Sequence, residues 1–428
     1  MSTAVKPDWR YRVLFTLLAP VLAWHGIAQA RRAEDPRMAR QKLGKDLPER
    51  HDRPVWIHMA SVGEVNAAYP LVMELRRRYP ALPLIVSTFT PSGAATAQTK
   101  LGSDIEHVYL PLDFKRAVHR FFEHIKPRCA LIMETEIWPR LFYQCRRNDI
   151  PLIIVNGRLS RRSMNKPRWM RAVYRQALQN VDRILARSET DAERFQTLGA
   201  AADKIQVIDN IKFAAPALQP PIAPIELPRP YILAASTHDD EELQLSRAWL
   251  ASDLGQTYLL VIAPRHPKRK AAILQQLRPL TDALAIRSDK DTVTNATQIY
   301  LADTFGELQG FIAGAELVCM GGSLIPRGGQ NLIEAARLGK VALFGPHMEN
   351  FADERDLLLQ HQAAVQVSDA EALIEKIETL LHQAGQLKAM GARAQQLVGT
   401  KADVAQRYAQ ALESYLVSPR GTAPHTPL

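Results

Sequence analysis

A proline-rich segment, residues 213–230, separates two stretches of the chain in which apolar runs alternate with helical patterns. Six of its 18 residues are proline. Because proline lacks a backbone N–H, neither a helix interior nor a central strand accommodates so many of them. We therefore interpret this segment as a linker, and its position midway along the 428 residues indicates a domain on each side.

The apolar runs on both sides of the linker are rich in Val, Ile and Leu, and stretches with helical periodicity separate them. The runs predicted to be strands are residues 55–61, 83–89, 108–112, 130–134, 151–156, 184–187, 205–209, 231–236, 258–264, 298–302, 317–321, 341–344 and 364–367. Buried strands that alternate with helices are typical of parallel sheets covered on both faces. The sequence thus predicts two α/β domains, residues 51–212 and 231–418, that face each other across a cleft. Ligands of such sheets bind beyond the carboxyl ends of the strands.

The first 50 residues form a separate segment, in which an uncharged stretch, residues 13–30, lies between basic side chains. As a helix, these 18 residues would be about 27 Å long, near the lower limit for crossing a bilayer core. We expect a membrane anchor or an interfacial helix, either spanning or lying flat. A secretory signal peptide is the alternative, which Arg31 and Arg32 directly after the stretch disfavour. At the other end, residues 419–428 are predicted to be a disordered tail.

The net charge of +10 indicates an anionic partner, either nucleic acid or a membrane surface. Half of this charge comes from the first 50 residues, which hold ten basic and five acidic side chains. No aromatic RNA-binding motif or helix-turn-helix pattern supports nucleic acid, so we favour a membrane with anionic headgroups. A second basic cluster is typical either of a solvated helix face or of a surface for an anionic acceptor or lipid headgroups. Its members are Arg158, Arg161, Arg162, Lys166, Arg168 and Arg171.

Acidic residues follow two of the predicted strands in the first domain. Ser61-Val62-Gly63-Glu64 ends one strand and begins a helix, so that Glu64 is a candidate general base, although the helix dipole alone also favours a glutamate there. Glu134 directly follows an apolar run, where an acidic side chain is costly unless it is used or paired. Helix capping by Thr135 or Glu136 is the structural alternative. Lys212, at the end of this domain, could reach the cleft or be an ordinary surface lysine.

Three strand-to-helix junctions of the second domain suit a phosphorylated ligand. Glycines let the backbone approach a ligand closely, and N–H groups at helix ends hold phosphate. Gly322 and Ser323 end one strand, and Asn331 and Glu334 fall on one face of the next helix. The other two junctions are the segments 264–267 and 304–308.

Several kinds of site find no support in the sequence. The chain has no Walker A loop, no GxGxxG motif after a strand, and no HExxH or GxSxG motif. Its three cysteines are too few for a disulfide framework and fit a reducing compartment. We therefore expect neither a metal nor another cofactor.

Taken together, the motifs resemble those of the 3-deoxy-D-manno-octulosonic acid (Kdo) transferases of lipopolysaccharide synthesis. The resemblance runs from the predicted anchor to about residue 400. The matching segments are SVGE at 61–64, STFTPSG at 87–93, HVYLPLD at 107–113, METEIWP at 133–139, NGRLS at 156–160, STHDDEE at 236–242, PRHP at 264–267, GGSLIPRGGQNLIEAA at 321–336 and FGPHMENF at 344–351.

The resemblance implies a GT-B fold, with two Rossmann-like domains and an N-terminal signal-anchor helix on the cytoplasmic face of the inner membrane. It implies transfer of Kdo from CMP-Kdo to the lipid A precursor, lipid IVA, with inversion at the anomeric carbon. Glu64 matches the general base of the family, and Glu134 and Lys212 match residues that stabilise the transition state. The residues expected to bind the donor are Pro264, Arg265, Phe305, Gly306, Glu307, Gly322, Ser323, Asn331 and Glu334. The donor carries one phosphate, which Lys212, arginine and helix ends can neutralise without a metal.

Three positions depart from the family pattern. Gln330 replaces the usual histidine, Leu332 the usual proline, and Phe305 the usual Met or Leu. Because Gln330 cannot be protonated, any charge contributed at that position is lost, which affects CMP binding rather than the reaction. The alternatives are a GT-B enzyme that uses a UDP-sugar and a non-catalytic module that binds nucleic acid or membrane and has no need for Glu64.

Overall fold

The computed structural model describes residues 4–32, 35–214 and 222–417 and divides into two compact units. One unit comprises Met1–Ala217 together with Ala402–Leu428, and the other comprises Leu218–Lys401. Residues 215–221 of the expected linker and the expected tail, 419–428, lie outside the described residues. The second unit ends before the boundary expected at residue 418, because the last helix packs against the first unit.

The first unit is built around a seven-stranded parallel sheet, and each of the seven strands overlaps a predicted apolar run. The strands are β1 (Val55–His58), β2 (Leu84–Thr88), β3 (Glu106–Tyr109), β4 (Cys129–Met133), β5 (Leu152–Gly157), β6 (Arg183–Ala186) and β7 (Ile205–Val207). The helices are α1 (Trp9–Arg32), α2 (Pro36–Lys42), α3 (Val62–Arg78), α4 (Pro91–Leu101), α5 (Lys115–Ile125), α6 (Pro139–Arg147), α7 (Arg161–Met164), α8 (Arg168–Gln179) and α9 (Glu189–Leu198).

The strand order of this sheet is β3-β2-β1-β4-β5-β6-β7. In the interior of the sheet, Ile57 of β1 is in register with Val86 of β2 and Leu131 of β4. Every residue of β1 and β4 is buried, as expected for parallel strands covered on both faces. Because the strands are parallel, the residues that follow β1, β2 and β4 meet at one edge of the sheet.

The second unit contains a parallel sheet of the same size with the order β10-β11-β9-β8-β12-β13-β14. Its strands are β8 (Tyr231–Thr237), β9 (Leu259–Pro264), β10 (Leu284–Ile286), β11 (Ile299–Leu301), β12 (Leu317–Met320), β13 (Ala342–Phe344) and β14 (Ala364–Gln366). Its helices are α10 (Glu241–Leu250), α11 (Lys270–Leu277), α12 (Leu308–Gly314), α13 (Ile333–Arg337), α14 (Ala352–Gln360), α15 (Ala370–His382) and α16 (Ala384–Gly399). The sequence did not predict β10, because an edge strand of three residues has too short an apolar run to stand out.

The final helix, α17 (Val404–Val417), completes the first unit. It packs against α3, and the hydroxyl of Tyr408 donates to the backbone oxygen of Asp209 at 2.9 Å. Tyr408 and Leu412 are fully buried. The apolar periodicity of this helix predicts a buried face but does not indicate which unit covers it.

Among its described side chains, helix α1 contacts the rest of the first unit along one side. The hydroxyl of Tyr11 donates to the buried carboxylate of Asp113 at 2.6 Å, and the ring of Phe15 lies 6.5 Å from that of Phe114. Among the described residues, no helix is both long enough and apolar enough to cross a membrane. A membrane-spanning form of the expected N-terminal anchor is therefore not supported.

Candidate active site

Glu64 lies in the first turn of α3, at the carboxyl edge of the first sheet. Ser61 is the N-cap of this helix, and the two residues form a capping box. Oε2 of Glu64 accepts hydrogen bonds from the backbone N–H groups of Ala60 and Ser61. The carboxylate therefore caps its own helix, a contact that goes beyond the helix-dipole effect considered from the sequence, and this capping fixes it at the edge of the sheet.

The environment of Glu64 favours its protonated form. Burial is the main cause, and the charges of Glu136 and Glu134 add to it, so that together they raise the pKa of Glu64 to about 8. The two backbone N–H groups oppose this shift only in part. A carboxyl whose pKa lies near neutral pH is suited to accept a proton during a reaction.

Glu134 directly follows β4 and has a left-handed backbone conformation, with φ at +54°. Its N–H donates to the backbone oxygen of Val155 at 2.9 Å, which continues the pairing of β4 with β5. A non-glycine residue in this region carries a backbone strain of about 1–2 kcal/mol. Such strain is concentrated at functional sites, where the surrounding structure enforces it.

A third carboxylate, Glu136, joins this acidic cluster. Its Oε2 accepts a hydrogen bond from Nε1 of Trp138 at 2.9 Å and lies 4.0 Å from Nε2 of His58. Burial raises the pKa of Glu136, the hydrogen bond from Trp138 lowers it, and the charge of Glu134 raises it again. His58 is fully buried, which lowers its pKa to about 3 and keeps it neutral. From the sequence, Glu136 was considered only as a capping residue. Its place two residues after Glu134, at the end of a buried strand, was the feature that could have indicated a functional role.

Lys212 lies in a 3-10 turn, Ile211–Phe213, that packs against α3. Side chains hold this turn in place: Asn210 accepts the N–H of Lys212 at 3.2 Å, and Asn156 accepts the N–H of Ile211 at 3.1 Å. Lys212 thus lies in the same unit as Glu64 and Glu134, on a turn in contact with the helix that carries Glu64.

In the second unit, the predicted donor-binding residues follow the carboxyl ends of neighbouring strands. Pro264 is the last residue of β9, and Arg265 follows it. Phe305, Gly306 and Glu307 come after β11, and Gly322 and Ser323 come after β12. Because all these strands are parallel, the sheet brings these segments to one edge. Asn331 precedes α13 rather than lying on it as the sequence had predicted, because the helix begins at Ile333. The amide of Asn331 nevertheless donates to Oε1 of Glu334 at 3.3 Å, so these two side chains lie together.

Phe305 and Glu307, two of the predicted donor-binding residues, differ in their exposure and in their contacts. The side chain of Phe305 is 74% exposed, so its ring can contact a ligand. Glu307 forms an ion pair with Arg287, with an N–O distance of 2.6 Å, and also accepts the hydroxyl of Thr304. These contacts, that of Arg287 first, lower the pKa of Glu307.

The backbone donors of Gly322 and Ser323 are already engaged. Their N–H groups donate to the carboxylate of Glu241 at 2.6 and 3.0 Å, and the N–H of Leu324 does so at 3.1 Å. The hydroxyl of the fully buried Ser323 bonds to the backbone of Met320 and Gly345. In this structure the Gly-Gly-Ser turn is therefore held by Glu241 rather than presenting these N–H groups to a ligand.

Basic side chains lie around His238, which directly follows β8, and the sequence had assigned only Arg265 among them. The ring of His238 lies 6.0 Å from that of His266, and its pKa is lowered by burial and then by His266, Arg327, Arg265 and Arg269. Among the described residues, none forms an ion pair with Arg265 or Arg327. Unpaired guanidinium groups beside a strand end are suited to bind a phosphate or a carboxylate.

A resident metal finds no obvious ligands in the described part of the chain. Within residues 4–32, 35–214 and 222–417, no group of three His, Cys, Asp or Glu side chains is arranged to hold a metal ion. The sequence expectation that no metal or other cofactor takes part stays a prediction.

Known proteins are similar to this chain in sequence or in fold. A family model described as 3-deoxy-D-manno-octulosonic-acid transferase (kdotransferase) matches residues 35–215. The 3-deoxy-D-manno-octulosonic acid transferase of Haemophilus influenzae is 32% identical, over 85% of this chain and 87% of its own. The transferase of the same name from Bordetella pertussis is 32% identical, over 88% of this chain and 90% of its own. A UDP-GlcNAc 2-epimerase structure from Neisseria meningitidis aligns with a TM-score of 0.55 at 14% identity, over 84% of this chain and 100% of that one.

The two parallel-sheet α/β units place the chain among two-domain proteins with GT-B-like folds, as the sequence predicted. Sequence identity over most of its length adds the family: the chain belongs to the 3-deoxy-D-manno-octulosonic acid transferases. It is therefore a glycosyltransferase that acts in Kdo transfer for lipopolysaccharide synthesis, and both the family and the enzyme class predicted from the motifs are confirmed.

Proposed function

We propose that this enzyme moves Kdo from CMP-Kdo to the lipid A precursor, lipid IVA, with inversion at the anomeric carbon and with Glu64 as the general base. The observation that carries the proposal is the partly buried position of Glu64 beside two other carboxylates, which raises its pKa to about 8. A base with this pKa binds a proton strongly and is still ionised in a useful fraction of molecules near neutral pH.

In the proposed reaction, ionised Glu64 accepts the proton of the acceptor hydroxyl while the hydroxyl oxygen bonds to the anomeric carbon of Kdo. The bond from that carbon to the phosphate oxygen of CMP breaks on the opposite side. A single displacement of this kind inverts the configuration and releases CMP. Glu134 would stabilise positive charge that develops on the sugar, and Lys212 would offset negative charge on the departing phosphate.

We assign the donor to the second unit, where Arg265, Arg327 and His238 follow strand ends. Arg265 and Arg327 supply positive charge for the single phosphate and the sugar carboxylate of CMP-Kdo. The paired side chains of Asn331 and Glu334 offer hydrogen bonds to hydroxyls. The remaining candidate contacts are Pro264, Phe305, Gly306 and Glu307, whereas the N–H groups of Gly322 and Ser323 are bonded to Glu241.

The acceptor side of the proposal includes a membrane surface. Helix α1 exposes large apolar side chains three or four residues apart, so that they form one stripe along the helix. The members of this apolar stripe are Trp9, Val13, Leu17, Val21 and Trp24. Since Tyr11 holds the other side of α1 to the first unit, we propose that the stripe lies in the interface of the inner membrane, on its cytoplasmic face.

The arginines of α8 support an anionic partner. Arg168, Arg171 and Arg175 line a surface pocket of about 270 Å³ beside the end of α9. No carboxylate among the described residues pairs with them, and Nε of Arg171 is buried without a hydrogen-bond partner. We propose that this pocket contacts phosphate groups of the acceptor or of neighbouring lipids. The side chains of Arg161 and Arg162 lie outside the described part of the structure.

The proposal is tested with Glu64→Gln, which keeps the shape of the side chain but cannot take up a proton. We expect turnover of CMP-Kdo with lipid IVA to fall by about 10²–10⁴-fold, measured by mass spectrometry of the lipid product. Calorimetric binding of CMP should be unchanged. Glu123→Gln, on the exposed surface of α5, is the matched control.

Near-normal turnover by Glu64→Gln would contradict the assignment of the base. Transfer from a UDP-sugar together with indifference to CMP-Kdo would contradict the donor.

A further inference from the structure

A buried ammonium that takes no part in the proposed reaction lies at the end of α2. Lys42 is only 2% exposed, and its Nζ donates to Oε1 of Gln29 in α1 at 3.0 Å. Among the described residues, no carboxylate forms an ion pair with it. Burial lowers the pKa of Lys42 to about 8. A buried charge without a counter-charge is costly, so the contacts that Lys42 does make are informative.

The ammonium of Lys42 lies over an aromatic ring that leads to the acidic cluster. Nζ is 4.1 Å from the centroid of the Phe89 ring, in the position of a cation–π interaction. The Phe89 ring stacks on that of Trp138, with centroids 5.6 Å apart and planes at 27°. Nε1 of Trp138 in turn donates to Oε2 of Glu136 at 2.9 Å. An unbroken series of contacts therefore joins Lys42 to Glu136.

The backbone of the same loop is bonded to the peptide that holds Glu64. The N–H of Phe89 donates to the backbone oxygen of Ala60 at 3.0 Å, and the N–H of Thr90 does so at 3.2 Å. On its other side, the N–H of Ala60 donates to the carboxylate of Glu64. Displacement of Phe89 would thus disturb both Glu136 and Glu64.

Helix α1 contacts this region at a second point. Asp113, which accepts the hydroxyl of Tyr11, also accepts the N–H groups of Arg140 and Leu141 at 2.9 Å each. These N–H groups belong to the first turn of α6, directly after Trp138. Helix α1 is therefore connected to the segment that carries Glu136 in two ways. Gln29 acts through Lys42 and the stacked rings, and Tyr11 acts through Asp113 and the start of α6.

We propose that Lys42 is a positioning residue: its ammonium holds the stack of Phe89 on Trp138 and so keeps Glu136 beside Glu64. The inference rests on the proposed role of Glu64 as the base. Among the described residues, the charges that act most strongly on Glu64 are those of Glu136 and Glu134, and the neutral His58 lies beyond Glu136. Glu136 is the larger of the two charge effects on Glu64, so its position sets how strongly Glu64 binds its proton.

The test compares Lys42→Met, which keeps the length of the side chain but not the charge, with Lys42→Arg, which keeps the charge. For Lys42→Met we expect kcat to fall about tenfold with an unchanged KM for CMP-Kdo. We also expect the acidic limb of the pH profile of kcat/KM to move to lower pH by about half a unit or more, because Glu136 no longer raises the pKa of Glu64. Lys42→Arg should restore both quantities. Lys45→Met, at an exposed lysine three residues away, is the matched control.

Trp138→Phe provides an independent variant, because it keeps an aromatic ring for the stack and removes the hydrogen bond to Glu136. We expect the same displacement of the acidic limb, since Glu136 then binds its own proton more readily. It serves as the test if Lys42→Met does not fold, as judged by circular dichroism.

An unchanged acidic limb in both Lys42→Met and Trp138→Phe would overturn the proposal. Equal losses of kcat in Lys42→Met and Lys42→Arg with the limb in place would also overturn it, because they would indicate only a packing role. Failure of the base assignment is distinguishable: there Glu64→Gln itself would turn over normally, whatever Lys42 does.

Discussion

Nε2 of Gln330 lies 3.0 Å from Nε2 of His238. Because an amide nitrogen can only donate, the histidine nitrogen must accept, which leaves His238 neutral with its proton on Nδ1. The low pKa of His238, caused by burial and by the neighbouring basic groups, agrees with this state. Gln330, where the resembling family usually has histidine, thus fixes the tautomer of His238 without adding a charge.

The first prediction concerns this pair. Gln330→Met should raise the KM for CMP-Kdo about five- to tenfold, as expected for loss of one hydrogen bond worth about 1 kcal/mol beside a polar ligand. We expect kcat to change little, because the proposed base, Glu64, belongs to the first unit and Gln330 to the second. Steady-state kinetics with varied CMP-Kdo measures both constants, and Gln406→Met, on the exposed face of α17, is the control. An unchanged KM would show that the tautomer of His238 does not matter for donor binding.

The second prediction is a pH dependence with a defined sign. Glu64 acts in its ionised form, so kcat/KM should rise with pH and reach half its maximum near the pKa of about 8. Glu136→Gln removes the neighbouring charge that raises the pKa of Glu64 most. The pKa of Glu64 should therefore fall, and the midpoint of the profile should move to lower pH. Profiles of kcat/KM between pH 5.5 and 9.5, roughly two units around these values, would reveal the shift. A midpoint that stays in place or moves upward would be evidence against electrostatic coupling of these carboxylates.

The third prediction concerns the stability of the second unit. Glu241 is fully buried and accepts N–H groups from Gly322, Ser323, Leu324 and His238. Glu241→Ala leaves these buried donors without an acceptor and should lower the free energy of unfolding by about 3–5 kcal/mol. Urea denaturation followed by circular dichroism measures this loss, with the exposed Glu349→Ala as the comparison. A loss below about 1 kcal/mol would mean that water replaces the carboxylate.

The sequence indicated where the carboxylates of the first unit lie more accurately than it described the contacts of the Gly322–Ser323 turn in the second unit. Glu64 and Glu134 could be placed because each follows an apolar run, and parallel strands bring such positions to one edge. The role of Gly322 and Ser323 differed from expectation, because their N–H groups bond to Glu241, about 80 residues earlier in the chain. Such long-range pairing leaves no local pattern.

The same limit explains the residues that the sequence did not single out. Lys42, Phe89 and Trp138 come from three separate segments, and only the packing of α2 against the sheet edge brings them into contact. Periodicity predicts which elements form, whereas contacts between side chains depend on how those elements are packed. The return of α17 to the first unit is a further result of packing rather than of pattern.

The last prediction concerns the apolar stripe of α1. Leu17 and Val21 are 72% and 60% exposed, and their replacement by serine removes apolar surface that could otherwise enter a lipid interface. Leu17→Ser with Val21→Ser should weaken sedimentation with vesicles containing phosphatidylglycerol by about 10- to 50-fold, corresponding to about 1.5–2.5 kcal/mol of lost apolar burial. Activity in detergent should remain, because both side chains are exposed, whereas α1 is held through Tyr11 and Gln29. Val417→Ser, at an equally exposed apolar residue of α17, is the matched control. Sedimentation that is unchanged in the double variant would mean that a different surface of the enzyme, such as the arginine pocket beside α8, holds it to the lipid.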